Sequence, residues 1–504
     1  MGVNALIFVE SMGMDHTSGR AAGAYKIATE IRKAGYTCQV VDFFTKFSSD
    51  QMKKIISSFI GEDTLIVGFS STFFTSVAGM AEGQTVAARY FSREKVTVNY
   101  PYSPETMTKW FDEMKQINPK IKIVLGGGKS IYLRAVGDAF AVGYCDQAIV
   151  EYMKYLEGKN PFFQFDKIND TQIAFYGSKY TDKFDFNEST IDWHETDFLQ
   201  HTEAVPIEVS RGCIFKCKFC SYPLNGKKKL DYIKHNNVLR DEFLKNYYEH
   251  GITRYTYGDD THNDSVEKVE RLHKIVTSLP FELEYTAFLR HDLIHKHRHT
   301  AALLRESGVR ASIFGIETLN HTAGKAIGKG LHPEKTKELL YWLKEDAWKD
   351  DVATTSGFIV GLPHDTPETI REWTKWLLDP ECPLDSFMVH PLSIWKTGNI
   401  FTSEFADNSE KYGYTVTSEG KWYNKHFDSA SAAALTFEII DKGLKNERFG
   451  YGGFAMMMLT NLGFTAKELI TRKRSKEFSN IINERTAVYV NGYKERLLNY
   501  CDQL

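Results

Sequence analysis

The chain has 504 residues, too many for one ordinary domain, so two or three are expected. Hydrophobic residues make up 42% of it, an ordinary share that supports packed cores. A formal net charge of −3 gives no global pull toward nucleic acid or an anionic membrane, and no apolar run reaches the length that spans a bilayer.

Asn4 to Val9 is a short apolar strand with no basic segment before it, as a signal peptide would need, so a cytoplasmic location is expected. Seven cysteines in so long a chain do not make a disulfide framework. Cys38, Cys145, Cys382 and Cys501 are scattered singly and read as buried free thiols.

Residues 1–150 alternate strand and helix patterns, the layout of a doubly wound parallel sheet. Asn4 to Glu10 reads as a strand, Gly19 to Lys33 as a helix stopped by Gly35, and Cys38 to Phe44 as a second strand. Gln51 to Phe59 reads as a helix and Thr64 to Ser70 as a buried strand. A long insertion follows from Phe73 to Tyr102. Glu105 to Gln116 then reads as a helix, Ile121 to Leu125 as a strand running into Gly126, Gly127 and Gly128, and Ala139 to Ile149 as a last short strand and turn. A sheet of this kind places its ligand over the carboxyl ends of its strands.

Residues 151–204 are aromatic and acidic with little periodicity, and read as a packed connecting segment. Residues 205–395 resume the alternation, with strands expected at Val205–Ser210, Arg254–Gly258, Leu283–Phe288, Ala311–Ile316, Gly357–Gly361 and Ser386–His390. Six such units suit an open, partial (β/α)6 barrel, whose working residues lie at the C-terminal strand ends. Residues 396–504 read as mostly helical, with helices at Ala430–Lys442 and Ala466–Asn480. The aromatic group Trp395, Tyr412, Tyr414, Trp422 and Tyr423 reads either as a pocket wall or as core.

The remaining cysteines fall in the run Ser-Arg-Gly-Cys-Ile-Phe-Lys-Cys-Lys-Phe-Cys that begins at Ser210, just after the first strand of the second alternation. Cys213, Cys217 and Cys220 form a C-x3-C-x2-C arrangement. Four-iron clusters normally take four thiolates. Three closely spaced thiolates leave one iron open to bind a small molecule and pass it an electron. The rival is a structural zinc site, which wants four ligands, and no fourth cysteine or histidine lies at finger-like spacing.

This spacing resembles the signature of the radical S-adenosylmethionine (SAM) superfamily. The resemblance implies one [4Fe–4S] cluster whose open iron is chelated by SAM, and reductive cleavage of SAM to a deoxyadenosyl radical. Phe219 matches the position whose ring lies along the adenine. In Tyr257-Gly258-Asp259-Asp260 an acid, Asp259 or Asp260, would meet the SAM amino group; a capped strand-end turn is the plainer reading. Arg290 would face the SAM carboxylate, or else cap a helix. Glu317, in Phe314-Gly315-Ile316-Glu317-Thr318, would bond the ribose or be a solvated carboxylate. Gly357, Ile359 and Gly361 match the adenine-binding segment, where glycine lets the backbone approach a flat ring.

The first domain resembles the cobalamin-binding domain of one large class in that superfamily. Ser70-Ser71-Thr72 matches its small hydroxyl residues, Gly126 to Gly128 its glycines beside the corrin, and Gly143 to Glu151 its closing strand and turn. His16 and Gly19 match the His-x-x-Gly part of the cobalt-ligating loop. Asp15 adjoins His16 instead of preceding it by two residues, so a ligand and a plain loop histidine both stand as readings.

The resemblance implies cobalamin-dependent methyl transfer to an unactivated carbon of a small-molecule or peptide substrate. It also implies a one-electron reductant such as a flavodoxin or ferredoxin. Cobalamin-free isomerisation, oxidation or ring formation is the alternative enzyme, and a non-catalytic iron–sulphur protein is a third reading. The run Asn225-Gly226-Lys227-Lys228-Lys229 after the cysteine loop reads as a solvated turn, or as a lure for an anionic substrate or an acidic reductase.

Overall fold

The computed structural model describes residues 2–10, 19–70, 104–127, 137–200, 203–222, 224, 226–228, 230–394, 402–417, 421–445, 459, 462–471 and 476–504. His16, Ser71, Thr72, Gly128, Trp395 and the insertion expected at 73–102 lie outside the described residues. The chain divides into two compact units, Met1–His201 with Arg485–Leu504, and Thr202–Glu484. No helix among the described residues is long and apolar enough to cross a membrane.

In the first unit, the described strands are β1 (Ala5–Val9), β2 (Cys38–Val41), β3 (Ile66–Ser70), β4 (Lys122–Gly126), β5 (Ala139–Val142), β6 (Asp166–Lys167) and β7 (Ile173–Tyr176). They make one sheet in the order β2-β1-β3-β4-β5-β7-β6, parallel except at the β6 edge. Helices α1 (Ala22–Lys33), α2 (Ser49–Phe59), α3 (Pro104–Ile117) and α4 (Asp146–Leu156) lie between the strands in sequence. Ser48 explains why α2 begins before Gln51: its hydroxyl accepts from the Gln51 amide and the Gln51 side chain reaches back, a capping box. Phe8 and Phe69 stack at 4.9 Å across neighbouring strands, with Phe44 and Phe111 edge-on against the same group.

Two sequence expectations need correction here. The turn expected after Ala139 is the helix α4, because Ala148, Ile149, Tyr152 and Met153 recur at helical spacing and bury one stripe. The aromatic segment expected to be irregular supplies β7, which pairs in parallel with β5 through Ala139↔Ile173 to Val142↔Tyr176. Its Phe175 packs on Tyr152 at 5.0 Å and on Phe163 at 5.5 Å, so those rings form part of this unit's core.

In the second unit, β8 (Ala204–Ile207), β9 (Arg254–Tyr257), β10 (Glu284–Leu289), β11 (Val309–Glu317), β12 (Ala353–Val360) and β13 (Ser386–Pro391) lie side by side in chain order, all parallel. The crossovers include α5 (Asn236–His250), α6 (Val266–Thr277), α7 (His291–Lys296), α8 (His299–Glu306), α9 (His321–Ile327), α10 (Pro333–Trp342) and α11 (Pro367–Leu378). This is the expected partial barrel. Successive side chains alternate between its faces. Phe314 stacks on Trp348 at 5.9 Å and Phe358 on Trp373 of α11 at 5.2 Å, which marks the helix-covered face. Gly315, Glu317, Gly357, Ile359 and Met388 alternate with buried neighbours and stay half-exposed on the other face.

Beyond β13 the longer described helices are α12 (Ser429–Lys445), α13 (Ala466–Thr471) and α14 (Lys476–Cys501). Leu459, Phe464, Phe478 and Ile482 pack with Ala311 and Ala353 near the starts of β11 and β12. The last part of α14, from Arg485, belongs to the first unit, where the buried Tyr493 hydroxyl accepts from the Asp42 amide at 2.9 Å and donates to the Val40 carbonyl at 3.2 Å.

Candidate functional site

The cysteine loop leaves the C-terminal end of β8. Gly212 starts its turn at φ +104°, and a Cβ there would lie 2.6 Å from the Leu224 carbonyl oxygen, so only glycine fits. Backbone bonds then fold the loop on itself. The Lys227 amide donates to the Cys213 carbonyl at 3.0 Å, Gly226 to Phe215 at 3.1 Å and Cys220 to Cys217 at 3.1 Å. None of the three cysteines is in a disulfide; Cys213 is buried and Cys217 and Cys220 are half-buried. Burial pushes the Cys213 thiol up, against the opposing effect of Thr261, whose hydroxyl oxygen lies 3.5 Å from its sulphur.

Among the described residues, no group of His, Cys, Asp or Glu side chains converges on one metal-sized point. A mononuclear zinc site asks for that convergence. A cubane does not, because each iron takes its own thiolate.

The turn after β9 carries the densest electrostatics. Asp259 is 2% exposed, and its Oδ1 accepts from the Val209 and Ser210 amides at 2.9 Å each. Lys268 of α6, 1% exposed, places Nζ 3.0 Å from Asp259 Oδ2 and 3.6 Å from Asp264 Oδ1. It also donates to the Ser210 hydroxyl at 2.6 Å and the Thr261 carbonyl at 2.9 Å. Burial drives the Asp259 carboxyl upward, but Lys268, His262 and the Ser210 amide together outweigh it and hold it well below the usual range. Asp264 accepts from the Tyr232 hydroxyl and from the Ile214 amide inside the cysteine loop. Asp259, Lys268 and Asp264 thus brace the loop from beneath.

Asp260, the next residue, has the opposite surroundings. Its Oδ2 is buried without a hydrogen-bond partner among the described residues. Burial first, then the Asp259 charge, push its carboxyl up to about 7. It is a carboxylate waiting for a cation.

Arg290 follows β10 and is 5% exposed. Its fork is held by Asp292, Nε to Oδ1 at 3.0 Å and Nη2 to Oδ2 at 2.5 Å. Its Nη1 points to the Cys217 sulphur at 3.5 Å, and its guanidinium lies 3.8 Å above the Phe215 ring. Asn263 clamps the same turn, accepting from the Arg290 amide at 2.7 Å and donating to its carbonyl at 2.9 Å. The expected carboxylate-binding fork is therefore engaged internally and turned toward the cysteines.

Glu317 ends β11 at φ +70°, beside a break in the β11–β12 register, with Lys329 Nζ 3.6 Å from its Oε1. Burial raises its carboxyl against the pull of Lys329. Gly357 and Ile359 share its half-exposed face. Gly361 does not join them. At φ +100° it is buried, a Cβ there would come within 2.5 Å of the Trp422 ring, and its carbonyl accepts from Tyr414 at 2.8 Å. Trp422 and Tyr414 are core around that glycine. Phe219 lies half-buried between Cys217 and Cys220 in the loop.

In the first unit Ser70 and Gly126 are register partners at the ends of β3 and β4, with Val9 of β1 opposite Ser70 and Gly127 directly after β4. In a sheet of order 2-1-3-4-5 the ligand crevice lies where β1 and β3 diverge, and these positions border it.

Lys268, Asn263, Asp264, Asp292 and Lys329 were not singled out from the sequence. A signal existed for Lys268: three aspartates at Asp259, Asp260 and Asp264 on one strand-end turn need a buried cation nearby. A cavity of about 940 Å³ opens at the other end of the strands, lined by Arg254, Glu284, Arg310 and Phe464. Its charges pair with each other, Arg254 at 3.3 Å and Arg310 at 3.4 Å from Glu284.

Residues 207–377 match the family model described as the Radical SAM superfamily. An uncharacterized methyltransferase of Pyrococcus horikoshii is 27% identical over 265 residues, 50% of this chain and 56% of that protein. An anaerobic magnesium-protoporphyrin IX monomethyl ester cyclase of Cereibacter sphaeroides is 24% identical over 331 residues, 62% of this chain and 51% of that protein. The chain therefore spans about half the length of these curated relatives. Among solved structures, the radical SAM methyltransferase TsrM from Kitasatospora setae, with cobalamin and a [4Fe–4S] cluster bound, aligns at TM-score 0.63 and 12% identity over 100% of this chain and 99% of that one. The cobalamin-dependent SAM radical enzyme OxsB, with aqua-cobalamin and SAM bound, aligns at TM-score 0.58 and 12% identity over 99% of this chain and 78% of that one. At such identities the likeness is one of fold. Residues 207–377 thus resemble a radical SAM domain, and the chain shares its fold with solved radical SAM enzymes that carry cobalamin.

Proposed function

We propose that this chain is a radical SAM enzyme that transfers a methyl group to an unactivated carbon of a small-molecule or peptide substrate. The observation that carries the reading is the pairing of a three-thiol loop at the end of β8 with Asp260 at the end of β9, whose buried Oδ2 has no hydrogen-bond partner among the described residues. Three thiols outside any disulfide on one folded loop fit a four-iron cluster with an open corner, and a buried carboxylate oxygen without a hydrogen-bond partner fits an ammonium group brought by a ligand. When bound, the [4Fe–4S] cluster supplies one electron for cleaving SAM, and cobalamin supplies the methyl carrier.

The chain's own residues then have distinct tasks. Cys213, Cys217 and Cys220 hold the three irons. Asp260 pairs with the amino group of SAM. Asp259, Lys268 and Asp264 keep the loop in place and do not touch the ligand. Arg290 brings positive charge to the Cys217 sulphur and orders Phe215, with Asp292 fixing its orientation. Phe219, Glu317, Gly357 and Ile359 border the nucleoside. Ser70, Gly126 and Gly127 border the cobalamin crevice in the first unit, and His16 is the lower-ligand candidate.

The names of TsrM and the Pyrococcus relative support methyl transfer, and that of OxsB supports a cobalamin cofactor. The cyclase relative favours a second reading, ring formation or oxidation after the same SAM cleavage. Anaerobic reconstitution with and without cobalamin, followed by product analysis, separates them. Methyl transfer yields deoxyadenosine together with S-adenosylhomocysteine. Deoxyadenosine without S-adenosylhomocysteine supports the second reading. Alanine at any one of the three cysteines is expected to abolish the brown chromophore and SAM cleavage; retention of both would overturn either reading.

A further inference from the structure

The fold leaves Arg290 little freedom to meet a ligand carboxylate. A carboxylate takes one edge of a guanidinium through two parallel bonds. Asp292 already fills such an edge, bonding Nε at 3.0 Å and Nη2 at 2.5 Å. The Phe215 ring covers one face, its centroid 3.8 Å from the guanidinium carbon. Asn263 pins the backbone of the residue on both sides, through the amide at 2.7 Å and the carbonyl at 2.9 Å. At 5% exposure the fork is fixed in place. What remains is Nη1, and it lies 3.5 Å from the Cys217 sulphur.

Two of the three sulphurs differ in kind. Cys213 takes the Phe215 amide, and the Thr261 hydroxyl 3.5 Å away donates its one proton to the Asp260 carbonyl at 2.8 Å. Both of those groups are neutral. Cys217 instead faces a cation, held in place by Asp292. Reduction of a [4Fe–4S] cluster from its 2+ to its 1+ state adds one electron and no proton, so negative charge grows on the sulphurs that hold it. Hydrogen bonds and positive charge at those sulphurs favour the reduced form and raise the potential. A charged donor is about twice as strong as a neutral one.

We propose that Arg290 sets the reduction potential of the cluster through Cys217, and that Asp292 tempers the effect by offsetting part of the guanidinium charge. The inference deepens the cluster reading given above and rests on it. Arg290 is in this sense a positioning residue: it acts through the thiolate, and no contact with SAM is asked of it.

The test uses the full chain reconstituted with iron and sulphide, without SAM. Dithionite reduces the cluster in a potentiometric titration, read by electron paramagnetic resonance of the 1+ state. Arg290→Gln is expected to lower the equilibrium constant for reduction about tenfold or more, a downward shift of about 59 mV per tenfold. Arg290→Lys keeps the charge and should recover part of that loss. Asp292→Asn leaves Arg290 in place with its charge less offset, and should shift the potential upward. A pair that only packed the loop would not move the potential in opposite directions at its two ends. Lys216, Lys218, Asp260 and Asp264 are the same in every variant, so their charges drop out of the comparison. Equal potentials in wild type, Arg290→Gln and Asp292→Asn would overturn the inference. So would an unmoved potential with a raised calorimetric Kd for SAM in Arg290→Gln, which would return the guanidinium to the ligand carboxylate. If Arg290→Gln holds no iron, Asp292→Asn decides alone, and a potential that does not rise overturns the inference. A wild type without a brown chromophore sinks the cluster reading and this inference with it; a coloured wild type with unshifted variants sinks this inference only.

Discussion

Asp259 and Asp260 are adjacent and chemically identical, yet the fold sets them to opposite tasks. Asp259 has two backbone amides and the Lys268 ammonium, which hold it charged. Asp260 feels Lys268 too, but burial first and then its neighbour's charge outweigh it and push the carboxyl up to about 7. A cationic amino group binds the charged carboxylate, so SAM affinity is expected to rise with pH through about 7 and to fall below it. The stability effect has the other sign. A carboxyl whose folded proton affinity exceeds its unfolded one contributes stability at low pH that is lost as pH rises through the folded value. Asp260→Asn should therefore weaken SAM binding about tenfold, or about 1.4 kcal/mol, at neutral pH. The same variant should melt at a higher temperature than wild type in alkaline buffer. Binding titrations and thermal melts across pH check both; a variant that binds SAM normally removes Asp260 from the site.

Elements place these residues, and the cysteine loop is the most constrained of them. Gly212→Ala would set a Cβ against the Leu224 carbonyl oxygen in a backbone conformation that alanine resists. Strain at such a position costs about 1–3 kcal/mol. The expected result is a reconstituted protein with clearly less iron per chain but unchanged helix content, read by iron analysis and far-ultraviolet dichroism. The loop and the strands around it were legible in sequence, because thiol spacing and short apolar runs ending in glycine or aspartate are local signals. The six barrel strands fall where expected within a few residues. What stayed hidden was non-local. Lys268 lies on the helix after Asp259, and nothing in its own neighbourhood announces a buried ion pair. Arg290 was expected to serve a ligand carboxylate, but Asp292 takes its fork first. Gly361 looked like part of an adenine platform, and only the fold shows Trp422 pressed against it. The strand β7 was missed because Ile173–Tyr176 is short and sits amid aromatic residues without alternation.

At the scale of the whole molecule, the first unit is built from both ends of the chain. Tyr493 ties β2 to the last helix through its hydroxyl, which accepts from Asp42 and donates to Val40. Arg20 lies 5.2 Å above the Tyr493 ring and donates to the Tyr25 hydroxyl, which donates in turn to Asp42 at 3.0 Å. Tyr493→Phe removes the Asp42 amide's partner in a dry interior, while the Val40 carbonyl keeps the Gln39 side-chain amide at 2.7 Å. The expected loss is about 1–3 kcal/mol of unfolding free energy, measured by urea titration. An unchanged midpoint would show that the hydroxyl contributes nothing net.

A ribosome delivers the amino-terminal sheet long before the segment that completes it. Residues 1–201 emerge first, and Arg485–Leu504 arrives only after the entire barrel has been synthesised. Domains generally fold as units in the order they are made, but this one has to wait with an apolar flank uncovered. Nascent chains stalled before codon 485 should accordingly recruit chaperones at that flank and resist proteases less well than released full-length protein.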